Sequence, residues 1–158
     1  MIFVTVGSML PFNRLITCMD KWAKDNDVTD VFAQIGDGSY VPRHMEWTRM
    51  IGRQDFLTHV RDASLIVAHA GMGSILTAAE FRKPIVLLPR FAAAREHTTD
   101  HQVHTAKWLS GRPGIYVAMT DAELIDRIGE ALHSPIGQSS LTRSAPESFL
   151  DRIRQFLD

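Results

Sequence analysis

The run His69-Ala-Gly-Met-Gly-Ser74 joins a short apolar stretch to a segment of helical periodicity through two glycines. That spacing suits an anion. The first amides of a helix carry positive partial charge, and glycines let a pyrophosphate approach the backbone closely. Gly71, Met72 and Gly73 would present backbone N–H groups, and Ser74 adds a hydroxyl donor. A second small-residue turn, Gly7-Ser8, ends the first apolar run, Ile2 to Val6. Two such turns at one edge of a parallel sheet can converge on a single ligand. The plain alternative for each is a tight turn that binds nothing, because first strand-to-helix loops often carry glycine for geometry alone.

A third segment, Glu96-His-Thr-Thr-Asp-His-Gln102, is unusually polar for a helix start. Asp100, His101 and Gln102 offer the mixture of donors and acceptors that vicinal hydroxyls of a sugar require, although Asp100 would also suit a solvated helix N-terminus. His69 and His97 are the local candidates for moving a proton, and the plain reading of His69 is a histidine that braces its loop. His97, His101 and His104 share one helix face, but no fourth ligand is fixed by spacing. Asp25-Asn-Asp27 falls where a helix should end, as Asn and Asp commonly do. No metal or cofactor is expected.

The elements that must position these residues follow from patterning. Short apolar runs alternate with helical periodicity, which predicts an α/β fold: a Rossmann-like parallel sheet with helices on both faces. Strands are expected at Ile2 to Val6, Asp30 to Ile35, Met45 to Ile51, Leu65 to Ala68, Ile85 to Leu88 and Gly114 to Ala118. Helices are expected at Pro11 to Ala23, Phe56 to Ala63, Gly73 to Arg82, Thr98 to Leu109 and Asp121 to Leu132, the last capped by Thr120. A final amphipathic helix over 146–158 carries Phe149, Leu150, Ile153, Phe156 and Leu157 on one stripe, suited to self-packing or to docking a partner.

The chain has 158 residues, 45% of them hydrophobic and 22% charged, which fits one domain over 1–158. A net charge of −1 argues against nucleic acid as a partner. Cys18, the single cysteine, cannot form an internal disulfide, so a reducing cytoplasm fits best. No apolar stretch approaches the ~20 residues that span a bilayer. A dinucleotide-dependent enzyme is disfavoured, because Gly71-Met-Gly73 lacks the third glycine of that fingerprint and no acidic residue follows the second strand at the expected spacing.

Taken in order, His69 to Ile75, Lys83 to Arg90 and Glu96 to Gln102 resemble the glycosyltransferase family 28 C-terminal domain. The likeness covers roughly residues 1 to 132 and extends to PssE-type subunits of bacterial exopolysaccharide synthesis and to the C-terminal half of MurG. It implies one half of a GT-B glycosyltransferase that binds a UDP-sugar donor. A separate membrane-associated chain would supply the acceptor, a lipid-linked saccharide, and would hold this cytoplasmic protein at the membrane periphery. The transfer implied is inverting and metal-independent, with the general base expected in the partner. A non-catalytic module that holds the nucleotide sugar for a partner would use the same loops. The resemblance places Gly7 and Ser8 in the first phosphate-facing loop, Gly71 to Ser74 at the pyrophosphate, and His101 and Gln102 at the donor sugar. Position 77 departs from the pattern: Thr77 stands where MurG-like sequences carry an acidic ribose contact, with Glu80 one turn later. The loop from Arg90 to Glu96 is longer and more basic than in MurG, which suggests that Arg90 or Arg95 reads an acidic sugar such as glucuronate.

Overall fold

The computed structural model describes residues 1–134 and Asp151. The helix expected over 146–158, with its apolar stripe, lies outside the described residues apart from Asp151. Six strands form one sheet: β1 (Ile2–Thr5), β2 (Val31–Gln34), β3 (Glu46–Thr48), β4 (Leu65–His69), β5 (Ile85–Leu88) and β6 (Ile115–Val117). Their order is β3-β2-β1-β4-β5-β6, and every pairing is parallel. The five helices are α1 (Asn13–Asp25), α2 (Arg53–Asp62), α3 (Met72–Glu80), α4 (His101–Leu109) and α5 (Asp121–His133).

The central strands are apolar on both faces because both faces are covered. Ile2, Val4, Leu65, Val67 and Val86 pack with Leu15, Ile16 and Met19 of α1 and Leu124 and Ile128 of α5. Phe3, Ile66, Ala68 and Leu87 pack with Val60 of α2, Ile75 and Ala78 of α3 and Leu109 of α4. The chain leaves β1 towards β2 on one side and later returns to β4 on the other. Thr5 lies opposite Ala68. The turns that follow β1 and β4 are therefore neighbours at the reversal of strand order, where open α/β sheets hold their ligands.

Helix ends explain most departures from the expected boundaries. After α1, Asp27 takes a left-handed φ of 52°, its N–H reaches Lys24 O, and Val28 N–H reaches Ala23 O. After α3, Arg82 does the same at 55°, with bonds to Ala79 O from its own amide and to Ala78 O from Lys83. Both are Schellman caps, and the first accounts for Asp25-Asn-Asp27 as a helix stop. α5 begins as expected, with Thr120 Oγ1 accepting from Glu123 N–H while Glu123 reaches back to Met119 N–H. α2 starts at Arg53, earlier than Phe56, and β3 is shorter than the run from Met45 to Ile51. α4 starts at His101 rather than Thr98, because Thr99 and Asp100 bond locally instead.

Candidate functional site

The carboxyl ends of β1, β2, β4 and β5 open on one cavity of about 590 Å³. Its centre is the pair of glycine turns. Gly7 and Ser8 face it from β1, and Gly71, Gly73 and Ser74 face it from the start of α3. No side chain caps the leading amides of α3, so they are left for a ligand. On one side lie Ile51, Arg53, Phe56 and Leu57, together with Thr77 and Glu80 on the face of α3 that also carries Gly73. On the other lie Arg90, His97 and Gln102.

His69 organises the centre. A Cβ on Gly7 would stand 2.6 Å from its Nε2, and one on Gly71 would clash with the same atom more severely. The imidazole thus fills the space beside both turns, and Gly7 additionally needs glycine for its φ of 77°. Gly73 differs, since a Cβ there meets no atom within 4 Å. Two of the three glycines therefore make room for His69, and the third faces the cavity. Thr5, buried at the end of β1, donates to Gln34 Oε1 (3.0 Å) and accepts from Gly7 N–H (3.1 Å), fixing the first turn from beneath. The Gly7 amide is thereby engaged.

Among the described residues, two buried side-chain polar atoms have no hydrogen-bond partner, His69 Nδ1 and Arg90 Nε. Both residues belong to the cavity wall. Leaving such atoms unsatisfied costs about 1–3 kcal/mol each. Burial, with the nearby charge of Arg90, pushes the His69 imidazole down to about 3, and it is neutral at ordinary pH. Burial also lowers Arg90 to about 10, against the pull of Glu96, so its guanidinium stays cationic. Arg90 Nη2 donates to Val6 O (2.7 Å) and to Leu10 O, and its backbone N–H donates to Gln102 Oε1 (3.1 Å). Arg90, one of the two arginines expected to read a sugar, braces the turn after β1, with its Nε buried and unpaired.

The cavity gathers Gly7, Ser8, His69, Gly71, Gly73, Ser74, Arg90, His97 and Gln102 from the expected set. Met72 turns into the core below α3. Arg95 sits at a φ of 58° on an exposed turn, outside the wall. Asp100 directs Oδ1 to Ala92 N–H (2.9 Å), and His101 occupies the exposed start of α4. None of these three lines the cavity. Thr77 donates its hydroxyl to Gly73 O (2.8 Å), whereas Glu80 lies in the wall further along the helix. Sequence reasoning missed Thr5, Gln34 and the α2 face, whose signal was a polar residue closing each otherwise apolar strand and a helix start hidden behind Gly52. Among the described residues, no three His, Cys, Asp or Glu side chains are grouped to hold a metal ion.

A family model described as glycosyltransferase family 28 C-terminal domain matches residues 1–153. No curated protein sequence gives a significant match. Among solved structures, the chain is similar to the NMR solution structure of ALG13 at 16% identity and a TM-score of 0.63, covering 99% of this chain and 94% of that one. It is similar to MurG of Acinetobacter baumannii at 18% identity and a TM-score of 0.55, covering 97% and 49%. The glycotransferase of kitacinnamycin matches at 19% identity and a TM-score of 0.61, covering 98% and 37%. This chain thus spans well under half of that last protein. At these identities the likeness is one of fold, the Rossmann-like half of a GT-B glycosyltransferase.

Proposed function

The chain belongs to the glycosyltransferase family 28 C-terminal domain, and from that premise we propose that its cavity holds the UDP-sugar donor of an inverting, metal-independent transferase. The observation that carries this reading is the pair of unsatisfied buried atoms, His69 Nδ1 and Arg90 Nε, beside two glycine turns. A diphosphate laid between the turns brings acceptor oxygens to the α3 amides and a counter-charge to Arg90. The nucleoside then extends toward Ile51, Phe56 and Leu57, which give a base apolar contact, and the sugar toward His97 and Gln102. Arg90 serves the diphosphate here rather than an acidic sugar.

In the transfer, an acceptor hydroxyl forms a bond to the anomeric carbon as the bond to the β-phosphate oxygen breaks. UDP leaves with that electron pair. Amide donors and Arg90 stabilise the growing negative charge, at ~3 kcal/mol for a typical well-placed donor. The hydroxyl proton goes to a general base. A neutral imidazole that takes a proton only near pH 3 is a poor base at neutral pH. That supports a base on a partner chain, which also holds the lipid-linked acceptor in this reading, with His97 the local alternative. No helix among the described residues is long and apolar enough to cross a membrane, in keeping with membrane attachment through that partner.

Calorimetry tests the donor site directly. UDP is expected to bind the purified chain in buffer containing a chelator, and Gly73→Val to abolish binding while the circular dichroism spectrum is unchanged, since valine there projects into open cavity. Binding that requires a divalent ion, or a folded Gly73→Val protein with wild-type affinity, would overturn it.

A further inference from the structure

The loop that carries His97 to the cavity, residues 91–100, has little burial of its own: positions 93–95 and 98–100 are exposed. Within the loop, Asp100 accepts Ala92 N–H, and a second carboxylate, Glu96, ties the loop to the rest of the fold. Glu96 forms a two-pronged pair with Arg14, Oε1 to Nε at 2.6 Å and Oε2 to Nη2 at 3.0 Å, and Oε2 also accepts Phe91 N–H at 2.9 Å. Arg14 Nη2 donates to Pro89 O (2.9 Å) and Nη1 to Asp121 Oδ1 (3.2 Å). Its guanidinium lies 5.3 Å from the ring centroids of both Phe12 and Phe91. The Glu96 side chain is 12% exposed, so its charge needs the arginine. One guanidinium therefore joins the start of α1, the end of β5, the start of α5 and the loop, without itself lining the cavity.

We propose that the Arg14–Glu96 pair is a positioning clamp for the sugar end of the donor site, holding the 91–100 loop so that His97, next in sequence to Glu96, stays in the cavity wall. The inference rests on the donor-site reading above. It separates the two ends of the ligand: the glycine turns and the α2 face are built without the loop, and the Arg90 side chain is fixed by its own bonds to Val6 O and Leu10 O, so the clamp acts chiefly on the sugar end and much less on the nucleoside diphosphate. A planar fork matched to a carboxylate is specific to arginine, so lysine is an incomplete substitute.

The test measures affinity for UDP and for a panel of UDP-sugars (glucose, N-acetylglucosamine, glucuronate), with amide exchange of Phe91 followed by NMR. Glu96→Gln and Arg14→Ala are each expected to lower affinity for the preferred UDP-sugar at least tenfold, change UDP affinity less than twofold, and speed Phe91 exchange. The double variant should be no worse than either single one, because the two residues act as a unit. Arg14→Lys should recover part of the loss, and Asp121→Asn, which touches the guanidinium but not the loop, should recover wild-type ratios. If the variants keep the wild-type ratio of UDP-sugar to UDP affinity, or lose both in parallel, the clamp inference fails. Wild-type protein that binds neither UDP nor any member of the panel would instead remove the donor-site reading.

Discussion

His69 is neutral because burial and the neighbouring Arg90 charge both disfavour its protonated form, and that neutrality has a consequence for folding. An exposed histidine takes up a proton near pH 6.5. The folded imidazole resists until about pH 3. Between those values the unfolded chain binds more protons than the folded one, so stability rises with pH there and is lost as pH falls below 6.5. The contribution lost between pH 7.5 and pH 5 is about 2 kcal/mol. Urea denaturation of wild type and of His69→Gln at both pH values should show the wild type losing more by roughly that amount. Parallel losses in the two proteins would mean that the imidazole is not held neutral. The glycine motif was legible in the sequence, but its division of labour was not. Gly71 and Gly73 look alike as letters, and only the ring of His69 lying over one of them separates a glycine required by packing from one that faces the cavity.

The connections between elements carry as much of the site's geometry as the elements do, and the one between β2 and β3 hangs on α1. Asp20, buried in that helix, accepts from Tyr40 Oη (2.6 Å), Arg43 N–H (3.0 Å) and His44 N–H (2.7 Å). Burial alone would raise this carboxyl, yet the bonds from Tyr40 and the two amides outweigh it and hold it below its usual range. Asp20→Ala leaves those donors without an acceptor and is expected to cost about 2–4 kcal/mol of stability. Urea denaturation should show it, with faster amide exchange in Glu46–Thr48. A loss under about 1 kcal/mol would mean that water replaces the carboxylate readily. Strand runs and helix faces could be read from sequence because burial on two faces leaves a continuous apolar signal. The start of α4 could not, since Thr99 and Asp100 satisfy nearby backbone groups and delay the helix, and Asp20 gave no signal because its partners lie twenty or more residues away.

At the scale of the whole molecule, the described residues form a single sheet whose cavity is walled only from the carboxyl edge. In the donor-site reading it offers two phosphate-facing turns, an apolar end and a polar end. The chain spans 49% of the MurG it resembles and 37% of the kitacinnamycin glycotransferase, and the two-chain reading proposed above assigns the acceptor-binding half to a partner. Holding donor and acceptor in register can be worth ~7 kcal/mol or more of a transfer barrier, and a domain that holds the donor alone forfeits that gain. The purified protein is therefore expected to bind UDP-sugar but to transfer its sugar to a lipid-linked acceptor at a rate several orders of magnitude below that reached with a membrane fraction containing the partner. The comparison is a transfer assay with and without that fraction, using donor labelled in the sugar. Robust turnover by the purified chain alone would show that one domain binds both substrates, and the two-chain reading would fall while the donor site stood.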